Sequence, residues 1–580
     1  MSKFLLFVLT ITLNFFAFSQ NTTVVHTLPF TVLDSETKEP IPYATIYSHA
    51  TGTGTVTNLK GQFNWDSLTS NDTLRLSFVG FESQIFTSNH PIPTVIYLKP
   101  KIEVLQSAYV YGNMSFLYAL VSGCKESRSN RTKPAKTYLS LASIIKGQTI
   151  ERMEAYYNGY FSGYDCQELK LKTGRLAISN FGDRFFISTE TTKALYLHQL
   201  FNSDSYFPTG PMGLNKKKLS KWFTLQFVKS YQDDNQHTVY QINYTPNKEC
   251  EDCFHGTLWV DSLQHQIQRI TLFTNNTKQH PFIPLGNSDS LLNVSLEITK
   301  NYTTTQSHVQ FKSTDFNYQL VYKTRTDSVF TVNTNALVYA FDHQTQFDLP
   351  HFEYGNISYQ DYILIGSIPY NASFWQNYKE FHMINSQETS KLFQSLHPEQ
   401  TGTFVNTTHR NFKKPFFEHA YKPWSIKRIQ LNHVLDEKVK GSVPLEAPPS
   451  QQYHLETQIY LDVNEFNDSI HVITKSYFDP YDSFFYLPQT SNTDAFVNMY
   501  FDLTEIKRRE LIILTQKATS KSQVEAIYQK CMTDLKEEHK TFVKETQRGY
   551  KLNGMTEWNE YIYRHLRIDN MELFHLLENP

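Results

Sequence analysis

A pattern of alternating apolar and polar residues constrains the fold of this chain more than any other feature. In residues 292–298, beginning with Leu292, every second residue is apolar and those between are polar. Residues 316–322 again place aromatic residues and leucine at alternate positions. A period of two is typical of a strand with one buried face. Three more strand-like runs lie at residues 240–244, 256–261 and 267–272. The sequence therefore predicts a large, curved antiparallel sheet.

The composition is typical of a mainly β chain, and it disfavours one class of function. Aromatic residues make up 15% of the 580 residues and charged residues only 19%, and aromatic side chains favour strands. The formal net charge is -2, from 54 basic and 56 acidic residues. The chain therefore has no overall field that would attract nucleic acid, and we expect no nucleic-acid partner. A chain of this length is expected to form about three or four folded units.

Residues 1–19 have the pattern of a secretory signal peptide. Lys3 precedes an apolar stretch, and Ala-Phe-Ser ending at Ser19 fits a small-x-small cleavage site. A membrane anchor is the alternative, but Asn14 interrupts the apolar part, which is short for a bilayer core of about 30 Å. No later segment has the roughly 18 uninterrupted apolar residues of a membrane span. We therefore expect an exported protein, periplasmic or associated with the outer membrane, without a transmembrane segment in its mature chain.

Residues 20–112 are predicted to form a small β-sandwich of short strands joined by turns. Gly61 can adopt a positive φ in one of these turns. Three elements occur in order: Val-Leu-Asp (32–34) with Pro-Ile-Pro-Tyr-Ala-Thr-Ile (40–46), Gly-Thr-Val-Thr-Asn (54–58) with Gly-Gln-Phe (61–63), and Leu-Arg-Leu-Ser-Phe-Val-Gly-Phe (74–81). Together they resemble the carboxypeptidase-like regulatory domain, a transthyretin-like sandwich common at the start of exported Bacteroidetes proteins. The resemblance implies a docking or folding module and export, more than an activity.

No catalytic, cofactor-binding or metal-binding residue is predicted. A zinc carboxypeptidase needs a His-x-x-Glu pair and a later histidine, but here this pair starts at His575, close to the last residue. The sequence also lacks a Gly-x-Ser-x-Gly elbow, a His-Glu-x-x-His helix, a phosphate-binding Gly-rich loop and a dinucleotide fingerprint. Asp462, Asn464 and Asp468 lack the glycine and the closing glutamate of a calcium loop. We therefore expect a protein that is not an enzyme and has no cofactor.

Residues 113–345 are predicted to contain a helix, near residues 113–130, followed by the large sheet. The helix, then Glu-Ala-Tyr-Tyr (154–157), Gly-Thr-Leu-Trp-Val-Asp-Ser (256–262) and Ile-Pro-Tyr-Asn (368–371), resemble the soluble part of uncharacterised Bacteroidetes envelope proteins. The sheet of that group is similar to the half-barrel of periplasmic lipoprotein carriers. The resemblance implies inward aromatic residues that either fill a core, the commoner case, or line a cavity for an acyl chain.

The cysteines leave two questions open. Five is an odd number, so in an exported chain at least one thiol is free or pairs with another chain. Cys531 is the best candidate for a free, buried thiol because it lies on an apolar helical stripe. Cys250 and Cys253 lie between two strand-like runs, and no second pair completes a zinc site. They form either a local disulfide or two inert thiols in a hairpin loop.

The rest of the chain is expected to divide into a connecting region, residues 346–447, and a C-terminal region, residues 448–580, of strands followed by helices. Strands are predicted at residues 455–463 and 470–477, with a turn from Asp479. Thr504 and Thr556 are predicted helix N-caps, and another helix is predicted at residues 522–542.

Two basic clusters could bind anions. Arg508 and Arg509 could bind a carboxylate or phosphate, and the three lysines of residues 216–218 could meet lipid phosphates. Such short clusters are more often solvated surface.

Three functions are compatible with these patterns. The leading hypothesis is a non-enzymatic cell-envelope protein whose carboxypeptidase-like regulatory domain is a docking or folding module, with an unspecified envelope protein or lipid component as partner. The first alternative is a periplasmic lipid or lipoprotein carrier with a half-barrel cavity. The second is a cryptic hydrolase, which would need two or more titratable side chains in one cleft.

Overall fold

The structure is a computed structural model. It describes residues 29–65, 72–87, 90–102, 114–125, 131–182, 184–185, 191–202, 206–284, 288–304, 308–354, 361–381, 383, 393, 403–406, 421–435, 449–466 and 468–576. The predicted signal peptide lies outside these residues. The contacts divide the chain into two compact units, Met1–Pro100 with His382–Ile384, and Lys101–Phe381 with Asn385–Pro580.

The first unit is a small β-sandwich, as the sequence predicted. Its described strands are β1 (Phe30–Asp34), β2 (Thr45–Ser48), β3 (Gly54–Val56), β4 (Gln62–Phe63), β5 (Thr73–Ser77), β6 (Gln84–Thr87) and β7 (Val95–Leu98). They form two sheets, in the orders β4-β1-β7 and β3-β2-β5-β6. Val32, Ile46 and Leu76 are buried in its core. Gly61 has a φ of 70°, and a Cβ there would lie 2.5 Å from the carbonyl oxygen of Val32, so this turn requires glycine.

One large, open sheet dominates the second unit. Its described strands are β8 (Thr132–Ile145), β9 (Gln148–Ser162), β10 (Asp165–Phe181), β11 (Arg184–Phe185), β12 (Phe223–Gln232), β13 (Thr238–Pro246), β14 (His255–Asp261), β15 (Gln266–Thr274), β16 (Ser290–Thr304), β17 (Val309–Lys323), β18 (Val329–Asp342) and β19 (Thr403–Asn406). Ten are antiparallel in the order β10-β9-β8-β18-β17-β16-β15-β14-β13-β12. The short β11 and the parallel β19 pair with β10. Among the described residues, no pairing joins β12 to β10, so the sheet is not closed into a barrel. The predicted mainly β fold is confirmed.

The alternation of apolar and polar residues correctly predicted the buried face of this sheet at Leu296 and Tyr318, but not at Leu292. Leu296 of β16 lies opposite Tyr318 of β17, and both are buried. Leu292 was expected to share this inner face, but it is 52% exposed. A bulge lies between Leu291 and Asn293, and a bulge inserts one unpaired residue, which breaks the strict alternation of faces. The predicted orientation of Leu292 is therefore wrong.

Helices and loops pack on the inner face and fill it. The helices of this part are α1 (Met114–Gly123), α2 (Thr191–Leu197), α3 (Lys216–Trp222), α4 (Asp361–Ser367) and α5 (Ala372–Asn377). The hydroxyl of Thr191 lies 2.7 Å from that of Tyr318, and the ring of Phe282 lies 4.3 Å from the Tyr318 ring. Leu117 and Leu120 of α1 belong to the same core. At these positions the inward aromatic residues form a core, the commoner of the two expected cases.

The C-terminal part of the second unit is a long hairpin covered by helices. Its elements are β20 (Lys422–Pro423), α6 (Leu431–Val434), α7 (Pro449–Gln452), β21 (Tyr453–Phe466), β22 (Ser469–Phe485), α8 (Ser491–Thr515), α9 (Lys521–Thr546), a 3-10 turn (Gln547–Gly549), α10 (Leu552–Leu566) and α11 (Asn570–Leu573). The strand order is β20-β22-β21. Phe478, Phe496 and Leu535 share one core between the hairpin and the helices. The predicted α9 and its buried Cys531 are confirmed.

Two predicted helix caps are wrong. The N-cap of α8 is Thr490, whose hydroxyl accepts from the N–H of Thr493 at 3.4 Å. Thr504 lies in the middle of α8, because buried apolar residues before it extend the helical face upstream. Thr556 lies inside α10, and its hydroxyl donates to the carbonyl of Leu552.

The predicted turn at Asp479 is an irregularity within β22. The Asp479 carboxylate accepts from the N–H groups of Tyr481 and Asp482, at 2.8 and 3.2 Å. The strand nevertheless continues to Phe485, because the register between β21 and β22 shifts at this point.

The alternatives for Cys250 and Cys253 are resolved as a disulfide in the loop between β13 and β14. Cys124, Cys166 and Cys531 form no disulfide and are buried. Among the described residues, no helix is both long enough and apolar enough to cross a membrane.

A buried ion pair joins the large sheet to the C-terminal hairpin. Lys172 of β10 donates to Asp462 of β21 at 2.6 Å, and the two side chains are 3% and 0% exposed. Asn371 donates to the other oxygen of Asp462 at 2.7 Å, and Lys172 also donates to the carbonyl of Asp348 at 2.6 Å. The carboxylate of Asp462, discounted above as a calcium ligand, is thus fully used inside the protein.

Substitution of Asp462 tests the importance of this ion pair. We expect Asp462→Asn to lower the free energy of unfolding by about 3–5 kcal/mol, because it leaves the buried Lys172 charge without its partner. The matched control is Glu168→Gln, which breaks the exposed pair of Lys170 and Glu168 on the same strand and should cost about 0–1 kcal/mol. Urea unfolding followed by tryptophan fluorescence measures both. Equal losses in the two variants would contradict this assignment.

Candidate functional site

Strand β21 forms one edge of the C-terminal hairpin and directs some of its backbone groups away from β22. Leu461 exchanges both backbone hydrogen bonds with His351, at 2.8 and 3.2 Å, and the carbonyl of Ile459 accepts from the Tyr528 hydroxyl at 3.1 Å. Both residues therefore direct their backbone away from β22. Because backbone direction alternates along a strand, Leu455 and Thr457 direct their N–H and C=O groups to the same edge, where no other described strand pairs with them.

Helix α9 runs beside this edge and encloses a cleft of about 960 Å3. We call it the lysine groove. Its lining comprises Tyr453, His454, Leu455, Glu456 and Thr457 of β21, Tyr500 of α8, and Gln529, Met532, Thr533, Leu535, Lys536, Glu537, His539, Lys540, Val543 and Lys544 of α9. Five consecutive strand residues line the cleft, so the edge of the strand faces it together with side chains of both faces. The cleft is thus open to a backbone partner.

The charges of the lysine groove are only partly balanced. Lys536, Lys540 and Lys544 are exposed at intervals of four residues, on one side of α9. Lys540 pairs with Glu537 at 2.6 Å. Among the described residues, neither Lys536 nor Lys544 has an ion-pair partner.

Two groove residues contribute the other charges. His454 lies 3.3 Å from Glu456, and this hydrogen bond raises the pKa of His454. With these two residues paired, the wall that α9 forms carries surplus positive charge.

His539 forms part of the floor of this groove. Its ring stacks on that of Tyr500, with centroids 3.7 Å apart, and its Nε2 lies 3.0 Å from the carbonyl oxygen of Tyr500. Burial lowers the pKa of His539 to about 3. The imidazole is therefore neutral at physiological pH, and its Nε2–H donates to that carbonyl.

A second cleft, of about 950 Å3, lies between the other edge of the hairpin and α8. We call it the arginine groove. Its lining comprises Pro369 and Trp424, Asp468, Ile470, Val472, Ile473, Thr474, Lys475 and Ser476 of the hairpin, Glu505, Arg508, Arg509, Ile512 and Thr515 of α8, and Gln516, Ala518 and Thr519. Short β20 pairs with β22 at Tyr477 and Phe478, and no other described strand pairs with this edge.

The predicted anion-binding pair Arg508 and Arg509 lies in this groove and already binds a carboxylate of the protein. Arg508 donates two hydrogen bonds of 2.7 Å to Glu505, and Arg509 donates one of 3.0 Å. Ser476 donates another at 3.0 Å. Burial alone would raise the pKa of Glu505, but these hydrogen bonds and the arginine charges lower it below its ordinary value.

The other basic cluster remains solvated surface. Residues 216–218 are exposed on the short helix α3, and Lys221 of that helix pairs with Glu249 at 3.0 Å.

One acidic cluster that the sequence did not indicate is explained by local turns. Asp233, His237 and Asp261 have ligand atoms within 4.8 Å of one another. Asp233 accepts from backbone N–H groups and from Gln268, and Asp261 accepts from Leu263, Gln264 and His237. The oxygens are engaged in hydrogen bonds that hold two hairpin turns, so we assign no metal there.

Comparison with known proteins identifies one domain. Residues 31–109 match the CarboxypepD_reg-like domain. This match confirms the predicted resemblance for the N-terminal sandwich. No curated protein matches the chain.

Several solved structures share a low similarity with the chain. The complex of MucA and MucB from Pseudomonas aeruginosa has 8% identity, covers 38% of this chain and 93% of that one, and has a TM-score of 0.15. A LolA superfamily protein from Nitrosomonas europaea has 10% identity, 42% and 97% coverage and a TM-score of 0.16. A putative outer membrane lipoprotein-sorting protein domain from Vibrio parahaemolyticus has 10% identity, 40% and 93% coverage and a TM-score of 0.16. These TM-scores are too low to support an inference about this chain.

The pKa of His539 leads to a pH dependence. Between about pH 3 and pH 6.5 the unfolded histidine binds a proton that the folded one does not, so stability falls as the pH falls. From pH 7 to pH 5 we expect His539 to account for a loss of about 2 kcal/mol. The variant His539→Phe keeps a ring against Tyr500, and its loss between these pH values should be smaller by that amount. Urea unfolding at the two pH values measures the difference, and equal losses would show that His539 does not titrate as described.

Proposed function

We propose that this protein is an exported, non-enzymatic docking protein of the cell envelope, which binds an extended segment of a partner protein in the lysine groove. The bound segment adds a strand to β21. The single observation that carries the proposal is the open edge of β21, at Leu455 and Thr457, inside a cleft that α9 forms. Extended peptides bind other proteins in this way, with backbone hydrogen bonds for affinity and side-chain contacts for specificity.

The charge of the groove supports a preference for acidic segments. Lys536 and Lys544 stand on the wall opposite the strand edge and have no ion-pair partner among the described residues. Side chains of an added strand alternate between its two sides, so every second residue of the segment faces one side of the groove. An extended segment with acidic residues at alternate positions fits this arrangement.

Three observations support the envelope location. Residues 31–109 match a domain that resembles a module of exported proteins. Residues 1–19 have the pattern of a signal peptide. The disulfide of Cys250 and Cys253 is of a kind that persists in oxidising compartments.

His539 and Glu505, buried titratable side chains of the two grooves, support a binding role over catalysis. In the lysine groove His539 is buried and neutral, and its Nε2 is bound to the Tyr500 carbonyl. In the arginine groove both oxygens of Glu505 accept from neighbours. A general acid or base needs a proton-transfer atom within reach of a substrate, whereas these atoms serve the fold.

The lipid-carrier alternative requires a cavity on the inner face of the large sheet. At the centre of that face Tyr318 contacts both Thr191 and Phe282. An acyl chain bound there would have to displace these residues. The docking hypothesis is therefore better supported than the lipid-carrier hypothesis.

A proline at Thr457 tests strand addition. Proline has no N–H, and it is tolerated in a strand where the N–H points away from the sheet. We expect Thr457→Pro to weaken roughly tenfold the binding of a fluorescent ten-residue peptide that alternates glutamate and valine, measured by anisotropy. The matched control is Thr457→Val, which also loses the hydroxyl that lies 2.8 Å from that of Thr504 but keeps the N–H. It should bind within about twofold of the wild type.

Modified peptides separate strand addition from attraction between charges. The same peptide with N-methyl groups on alternate residues keeps its charge but loses backbone donors, and we expect at least roughly tenfold weaker binding. A lysine-valine peptide should bind more weakly still. If the N-methylated peptide binds as tightly as its parent, strand addition is wrong.

A further inference from the structure

The arginine groove contains an arginine, Arg509, for which only part of the guanidinium group contacts the surrounding protein. Arg509 donates through Nε to Glu505 at 3.0 Å, and its guanidinium lies 5.3 Å from the centre of the Trp424 ring. Glu505 thus contacts one edge of the guanidinium, and the Trp424 ring lies over one face. Its two terminal nitrogens have no hydrogen-bond partner among the described residues. Because these two NH2 groups remain available and the side chain is 45% exposed, Arg509 is suited to bind a carboxylate or phosphate.

The charges in the groove leave Arg509 available to bind an anionic ligand. Glu505 is 2% exposed and accepts two hydrogen bonds at each oxygen. It neutralises one of the two arginines, and Lys475 adds a further positive charge. Asp468, at the far turn of the hairpin, is exposed and is the other acidic residue of the lining. The lining therefore carries a net charge of about +1 at neutral pH.

One side of the groove is apolar. Ile470 and Val472 of β22 and Ile512 of α8 are half-buried and line the cleft. Its volume of about 950 Å3 lies within the range of sites for small molecules, which combine apolar walls with a few polar groups. Arg509 beside this apolar side fits a ligand with one anionic end and one apolar end.

The shape of the cleft favours a ligand that ends beside Arg509 over a peptide strand that continues past it. β20 pairs with β22 at Tyr477 and Phe478, and the backbone N–H of Trp424 donates to the carbonyl of Ser476. These contacts cover the strand edge beside Arg509. A peptide strand could not continue past this point, whereas the head of an amphiphile could stop there.

We propose that the arginine groove binds a single-chain amphipathic anion, with its carboxylate or phosphate head on Arg509 and its alkyl chain along Ile470, Val472 and Ile512. The site lies on the opposite edge of the hairpin from the lysine groove and does not depend on the docking function. The same chemistry could come from a free fatty acid or from a phosphate-bearing lipid with one chain.

The test uses four monomeric probes and the full chain. We expect calorimetric binding of decanoate or decyl phosphate, at least roughly tenfold weaker binding of decanol, and no binding of inorganic phosphate. Decanol keeps the chain and lacks the charge, whereas phosphate keeps the charge and lacks the chain. A preference for decanoate or for decyl phosphate distinguishes the two sources. Equal binding of decanol would overturn the proposal, because Arg509 would then have no part in it.

Two variants locate the site. Arg509→Gln removes the charge while Arg508 keeps its bonds to Glu505, and it should weaken binding of the preferred anion roughly tenfold. Val472→Gln obstructs the apolar channel without touching the arginines and should weaken it similarly. The matched control, Lys517→Gln on exposed Lys517 outside the cleft, should bind as the wild type does. Circular dichroism and thermal unfolding confirm that each variant is folded.

Two results would overturn the assignment. One is unchanged anion binding in folded Arg509→Gln, which would place the ligand elsewhere. The other is loss of binding of the glutamate-valine peptide in Arg509→Gln together with no binding of either alkyl anion, which would make the groove a peptide site.

Discussion

The ion pair of Lys172 and Asp462 is the interaction on which the second unit depends most. It joins the middle of β10 to the middle of β21, and the carboxylate also receives a hydrogen bond from Asn371 in the region between them. Three segments distant in sequence thus share one buried carboxylate. Burial of two charges is costly unless their remaining hydrogen bonds are satisfied. Here the carbonyl of Asp348 accepts from Lys172, so the pair fixes the position of the hairpin instead of straining it.

The position of the hairpin determines what its edges can do. Near Asp462 the edge of β21 is covered, because Leu461 bonds to His351 and Ile459 accepts from Tyr528. Toward Tyr453 these contacts to His351 and Tyr528 end. Helix α9 lies beside this part of the strand, and the lysine groove lies between them. An uncovered strand edge is a hazard for aggregation. The proposed docking function assigns a role to this edge, because the lysines of α9 beside it would favour acidic segments over other chains.

The sequence predicted the fold where the signal was local. Alternation revealed the strands that carry Leu296 and Tyr318, and motifs in order revealed the N-terminal sandwich. Local signals failed at irregularities. The bulge beside Leu292 reverses the face of a single residue, and no composition marks it. Thr504 resembles a cap because charged residues follow it, but tertiary burial of the residues before it extends the helix.

Neither groove could be predicted from the sequence. Each is formed by a strand edge and a helix that follows the hairpin, and whether they leave a gap depends on packing. The sequence indicated Arg508 and Arg509 as a possible anion-binding pair. Only the structure shows that Glu505 accepts two hydrogen bonds from Arg508 and one from Arg509. Lys172 and Asp462 are 290 residues apart, so their pairing has no local signature.

Hydrogen–deuterium exchange at the edge of β21 tests the central claim most directly. The glutamate-valine peptide is added to the full mature chain, and the exchange of backbone amides is followed by mass spectrometry. Strand addition predicts slower exchange at Leu455 and Thr457, whose N–H groups become hydrogen-bonded, with little change on the inner face around Tyr318. Protection at the strands around Tyr318 with none at Leu455 and Thr457 would contradict docking at this edge and would favour a ligand inside the large sheet.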